Sequence, residues 1–257
     1  MRVLFIGDIY GKPGMRVMQQ YLAEHRESFD FVVANGENAS GGFGISRKHF
    51  GQMIEAGVDV VTLGNHSWDN REALDLVEET PRLLRPLNYP PGTPGLGQAS
   101  FTTRAGERIT VMSVMGRIFM EALDCPFRTL DAVLEGREGE TVLVDFHAEA
   151  TSEKRVMAYH LAGRVAALIG THTHVQTADE QIVAGTAYIT DVGMTGAQDS
   201  AIGLNFEEVH YRFIRRLPRR YKPSERPGTL CAVMLELKGG RAHNIERLQW
   251  QSEDALH

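Results

Sequence analysis

Five apolar runs in this chain each end in a cluster of polar side chains, and that arrangement limits the folds open to it more than any other feature. Residues 3–6 lead into Gly7 and Asp8, residues 31–34 into Asn35, Gly36, Glu37 and Asn38, and residues 58–63 into Gly64, Asn65 and His66. Later, the run at 141–146 carries Asp145 and ends at His147, and the run at 165–169 leads into Gly170, Thr171, His172, Thr173 and His174. Short runs of Val, Ile and Leu read as buried strands. Helical patterns lie between the first three. Met15, Met18, Tyr21 and Leu22 recur at three- and four-residue spacing after a Gly/Pro turn at Gly11, Pro13 and Gly14. Ser46 is placed to cap a helix that runs to about Ala56 and ends at Gly57, and residues 70–79 form a third pattern before Pro81. A β-α-β-α-β-α opening predicts a parallel sheet with crossover helices. The carboxyl ends of such strands gather on one edge, where ligands bind. The five clusters are therefore expected to meet, with a glycine before four of them letting the chain turn sharply off the sheet.

The remainder reads as more α/β structure. Residues 89–97 are rich in Pro and Gly and irregular; 98–103 and 109–114 form two strands, read as antiparallel. A helix over 152–162 separates the strands at 141–146 and 165–169, and residues 229–237 and 242–250 close the chain as a hairpin around Lys238, Gly239, Gly240 and Arg241. No repeat or linker interrupts the 257 residues, which read as one domain.

Carboxylate, amide oxygen and imidazole together suit manganese, iron or zinc better than an all-oxygen calcium cage. The only cysteines, Cys125 and Cys231, form no CxxC pair, which excludes a thiolate zinc site or a disulfide scaffold. In an extended segment His172 and His174 share a face, so that each imidazole serves a different ion. Taken singly, Asp8 or the Gly64–Asn65–His66 segment reads as a turn and the His-x-His pair as a surface coincidence. Five such clusters, each after an apolar strand, are not explained by unrelated turns. The loop from Ser40 to Gly44 lacks the Gly-Lys-Ser/Thr ending of a phosphate-binding P-loop, which argues against nucleoside triphosphate hydrolysis. A net charge of −6 argues against nucleic-acid binding by bulk attraction. The basic stretch of Arg212, Arg215, Arg216, Arg219, Arg220, Lys222 and Arg226 reads as solvated surface, with an anionic substrate, RNA or an oligomer contact as alternatives. The apolar start is too short for a signal sequence and no run approaches a membrane span, so a cytoplasmic setting is expected.

Five stretches resemble the calcineurin-like metallophosphoesterase superfamily, and more closely its YmdB-type phosphodiesterase branch: FIGDIYGKPG (5–14), NGENASGGFG (35–44), LGNHSWDN (63–70), DFHAEATSEK (145–154) and GTHTHVQTAD (170–179), with TDVGMTG (190–196) also similar. The resemblance implies an α/β fold, a four-layer α/β/β/α sandwich, and two divalent or trivalent ions, iron or manganese with zinc as the alternative. Asp8, Glu37 and His174, together with Asn38, would hold one ion; Glu37 would bridge to a second, completed by Asn65, His147 and His172. His66 would stand beside the phosphate as an acid or transition-state stabiliser. The implied reaction is hydrolysis of a phosphodiester, a 2',3'- or 3',5'-cyclic nucleotide, by in-line attack of a hydroxide held between the metals, with His66 assisting the leaving group. A phosphomonoesterase or nucleotidase, or a regulatory metal-binding protein with weak turnover, is the alternative. The expected partners are that small substrate and further copies of the chain. Two departures from the broad superfamily stand out: Asp8–Ile9–Tyr10 replaces Asp-x-His, and Glu37–Asn38 replaces the bridging Asp.

Overall fold

The computed structural model describes residues 1–251. Its first half builds strands β1 (Arg2–Ile6), β2 (Asp8–Ile9), β3 (Phe31–Asn35), β4 (Val60–Thr62) and β5 (Leu83–Leu84), with helices α1 (Gly11–His25), α2 (Arg47–Ala56) and α3 (Glu72–Glu79) between them. Strands β6 (Gln98–Thr102), β7 (Arg108–Met115), β8 (Val142–His147), β9 (Ala167–Thr171), β10 (Gln181–Val183) and β11 (Thr186–Ile189) follow, with α4 (Pro126–Leu134) and α5 (Thr151–Leu161). Strand β12 (Met194–Ala197), helix α6 (Phe206–Arg215) and the hairpin of β13 (Gly228–Lys238) and β14 (Arg241–Trp250) complete the chain.

Two sheets result. One runs β2-β12-β13-β1-β3-β4-β5, with β14 also paired to β13; the other runs β10-β11-β9-β8-β7-β6. Strands β1, β3, β4 and β5 are mutually parallel, as are β7, β8, β9 and β11. The two-residue period of a strand sorts their side chains into layers. In β1, Leu4 and Ile6 pack with Met15, Met18 and Leu22 of α1, whereas Val3 and Phe5 pack against Val111, Leu143 and Ile169 of the second sheet. In β8, Leu143 faces the first sheet while Val142, Val144 and Phe146 meet Leu130 of α4 and Met157 and Leu161 of α5. The order is helices, sheet, sheet, helices: the four-layer α/β/β/α sandwich expected.

Local chemistry explains where elements begin and end. Ser46 Oγ accepts the His49 N–H at the start of α2, and Gly57 closes the helix at φ 106°. The expected Gly/Pro turn is instead the first turn of α1, where the absent N–H of Pro13 costs nothing. Strands β2, β5 and β10 have only two or three residues, too few to show a periodicity. The strand edge that matters is the shared carboxyl end of β3, β4, β8 and β9.

Candidate metal centre

Seven side chains predicted to hold metal, and His66, lie at this edge. Asp8, Glu37, Asn38 and His147 are buried; Asn65, His66, His172 and His174 are part-buried at the rim. Around Glu37 the donors fall into two groups. In one, His147 Nε2 lies 3.0 Å from Glu37 Oε1, 2.9 Å from Asn65 Oδ1 and 3.0 Å from His172 Nδ1. In the other, His174 Nε2 lies 3.9 Å from Asp8 Oδ1 and 3.4 Å from Asn38 Nδ2, and that amide also donates to Glu37 Oε1 at 3.2 Å. Glu37 is thus common to both.

Each of the three imidazoles has its outward N–H committed to an oxygen. His147 Nδ1 faces Thr171 Oγ1 at 2.9 Å, and because that hydroxyl gives its own hydrogen to Asp145 Oδ1 at 2.6 Å, the imidazole must donate. His174 Nδ1 donates to the Ile202 carbonyl at 3.0 Å, and His172 Nε2 lies 3.1 Å from the Glu149 carboxylate. An acceptor behind the ring fixes the tautomer and turns the other ring nitrogen inward as a lone pair. His147 Nε2 faces Glu37 Oε1, Asn65 Oδ1 and His172 Nδ1, and His174 Nε2 faces Asp8 Oδ1 and the Asn38 amide. Asp8 Oδ1, fully buried, has no hydrogen-bond partner among the described residues. With the rings neutral, such a set is repulsive without a cation and complementary with one.

Without a cation, a second proton on His147 takes its place beside Glu37. Burial pushes the Asp8 carboxyl up to about 6. Burial would do the same to Glu37, but His147 and His66 outweigh it and hold Glu37 at about 2. Burial works against a charge on His147, yet Glu37, Asp8 and Asp145 lift it to about 9; burial and the neighbouring His147 depress His172 to about 3.

Asp145 was legible as part of a polar cluster, but its role is to tie strand ends together. It accepts from Asn35 Nδ2 at 3.1 Å, Thr62 Oγ1 at 2.5 Å and Thr171 Oγ1, so one buried carboxylate joins β3, β4, β8 and β9 beneath the site. Lys154 was missed. Buried on α5, it donates to the Thr171 carbonyl and to Asp191 Oδ2, both at 2.7 Å, and Asp191 Oδ2 also receives the Thr173 N–H and hydroxyl. Its position in a helix packed on the core, in step with Met157, Ala158 and Leu161, is the signal that would have found it.

Two expectations need a different physical reason. Gly7, Gly36, Gly64 and Gly170 do not have positive φ; they are small because neighbours press in. A β-carbon on Gly64 would collide with the His147 ring, and one on Gly170 with the Thr190 carbonyl. His172 and His174 are not in an extended segment: β9 ends at Thr171 and both histidines have positive φ, 99° and 66°. Divergent turns, rather than strand alternation, separate their rings.

His66 stands at the rim. Its backbone N–H donates to Glu37 Oε2 at 2.9 Å, its Nδ1 is 2.7 Å from Asp69 Oδ2, and Phe43 packs edge-on to its ring at 5.1 Å. Glu149 supports His172, and Glu153 receives the backbone N–H groups of Arg117 and Ile118. In the basic stretch, Arg212 stacks over Tyr221 and Arg219 over Tyr211, so these aromatic faces are covered by the protein's own arginines.

The chain matches the family model described as YmdB-like protein over residues 4–248. It is 41% identical over 255 residues, 96% of each chain, to a 2',3'-cyclic-nucleotide 2'-phosphodiesterase of Bacillus subtilis (strain 168). A crystal structure of a hypothetical protein from Thermus thermophilus superposes with a TM-score of 0.94 at 46% identity, covering 98% of this chain and 99% of that one. A crystal structure of a novel phosphatase from Mycoplasma pneumoniae superposes with a TM-score of 0.91 at 32% identity, covering 100% of this chain and 96% of that one.

Proposed function

The chain belongs to the YmdB-like family of calcineurin-like metallophosphoesterases, and from that premise we propose that it is a metal-dependent phosphodiesterase that opens 2',3'-cyclic nucleotides. The observation that carries the proposal is the set of three inward imidazole nitrogens and a carboxylate oxygen without a partner among the described residues, gathered around Glu37. Asp8, Asn38 and His174 would hold one ion and Asn65, His147 and His172 a second, with Glu37 between them. When bound, such ions lower the pKa of water and neutralise the oxygens of a phosphoryl group. Within the same reading the ions are iron or manganese, the chain is one domain, and it acts in the cytoplasm as a homo-oligomer. No helix among the described residues is long and apolar enough to cross a membrane.

The residues of the chain supply the rest of the chemistry. His66 keeps Nε2 free while Nδ1 is held against Asp69, so a proton on Nε2 can pass to the departing ribose oxygen. Its backbone tie to Glu37 fixes the imidazole relative to the proposed metal positions. Opening at the 2' oxygen leaves a nucleoside 3'-phosphate.

Parallel assays of the metal-loaded protein on 2',3'-cyclic AMP and on AMP test the reaction class. The diester should be opened and the monoester left intact. Faster release of inorganic phosphate from AMP than opening of the ring would identify a nucleotidase instead.

A further inference from the structure

Beside the proposed centre lies a cleft of about 550 Å³, lined by Asn65, His66 and His172 and also by Phe119 and Met120. That volume is in the range of small-molecule sites. Phe119 is the unusual member. It is 89% exposed, and its backbone is left-handed at φ 63°, a conformation that bulky side chains rarely adopt.

The loop that carries Phe119 is held firmly in this shape. At its base, buried Asn88 donates to the carbonyls of Met115 and Asp124 at 2.8 and 3.0 Å and accepts the Met115 N–H at 2.9 Å. Inside it, Glu153 receives the N–H groups of Arg117 at 3.1 Å and Ile118 at 3.2 Å. Gly116 sits so tightly against Ala148 and Glu153 that a β-carbon would meet both at 2.6 Å. Strain of this kind persists only where the surroundings over-determine it, and it gathers at binding sites. Here its result is an aromatic face set in the same cleft as His66.

Resting on the phosphodiesterase reading, we propose that Phe119 is the platform on which the nucleobase of the substrate stacks while the phosphate lies at Glu37 and His66. An aromatic face accepts any base, because every base has a π-face. It would therefore select nucleotides over base-free cyclic phosphodiesters without strong preference among bases. Phe43 has a different part, since its ring already packs edge-on to His66.

The test uses metal-loaded His66→Ala protein, in which turnover is slowed enough for binding to be read first, and calorimetry with two probes: 2',3'-cyclic AMP and methyl riboside 2,3-cyclic phosphate. Adding Phe119→Ala should weaken binding of the nucleotide about tenfold, the size of one base–aromatic stack, while the preference over the base-free probe falls by the same factor. Phe119→Trp should restore it. Phe119→Gly removes ring and strain together, so affinity should fall while Tm does not. Equal affinity for the nucleotide with and without the ring, or an equal loss for both probes, overturns the platform. Failure of the wild-type enzyme to open either diester, with the binding contrast intact, overturns the catalytic reading and leaves the platform standing.

Discussion

At the residue scale, the site is built by constraining what each side chain can do. Thr171, Ile202 and Glu149 take the outward N–H of one histidine each, and the inward nitrogens are thereby left as acceptors. His66 differs because the partner of its Nδ1 is Asp69 at the rim and the residue lines the cleft. His66→Ala should leave metal content near that of wild type and lower turnover by about 10²–10⁴-fold, whereas Asp8→Ala and Glu37→Ala should lose metal as well as activity. Elemental analysis alongside a diester assay separates the two outcomes; a fully active His66→Ala protein would remove the acid role. Gly64 gives a less obvious prediction. Because its missing β-carbon makes room for the His147 ring, Gly64→Ala should displace that proposed ligand and weaken metal retention on dialysis with little loss of folded protein. Metal content equal to wild type in that variant would show that the ring has space to shift.

At the element scale, helix α5 is as much a part of the site as the strands. Lys154 reaches from it to the Thr171 carbonyl and Asp191, and Asp191 in turn holds Thr173 between the two histidines of the loop. Both charges are fully buried. Lys154→Met should destabilise the protein by about 3–5 kcal/mol, the usual cost of leaving one partner of a buried pair unmatched, and pairing it with Asp191→Asn should recover part of the loss. Urea titration of the single and double variants measures this; additive losses would mean that the two residues act independently. These elements also mark how much could be read in advance. The long buried strands, α2 with its Ser46 cap and Gly57 stop, and the antiparallel β6–β7 pair were legible because each carries a period or a terminator of its own. Strand β2, which carries Asp8 into the site, was not, because it forms only by pairing with the distant β12. Helix α6 was overlooked although Phe206, Val209, Phe213 and Ile214 recur at helical spacing, an apolar stripe in which Phe206, Phe213 and Ile214 stay exposed. The polar clusters were legible from their positions after apolar strands and the candidate ligands within them from the family resemblance, but the Asp145 and Lys154 links beneath them depend on tertiary packing.

At the scale of the whole molecule, two sheets with parallel cores present their carboxyl ends on one edge, and residues from Asp8 to His174 meet there around Glu37. The same burial that gathers these groups links metal uptake to pH. His147, lifted to about 9, holds a second proton at lower pH, and that proton must leave before Nε2 can act as a ligand. The affinity for manganese should therefore fall by about tenfold per unit as pH drops below 9, and more steeply below about 6, where Asp8 is protonated too. Calorimetry in buffers of different ionisation enthalpy counts the released protons; uptake without proton release at about pH 7 would mean that His147 is already neutral. The most direct measurement is anomalous diffraction from manganese-loaded crystals of the protein. Two peaks about 3.5–4 Å apart on either side of the Glu37 carboxylate are expected, one against Asp8 and His174 and the other against His147 and His172. A single peak, or none within reach of Glu37, would contradict the proposed dinuclear centre.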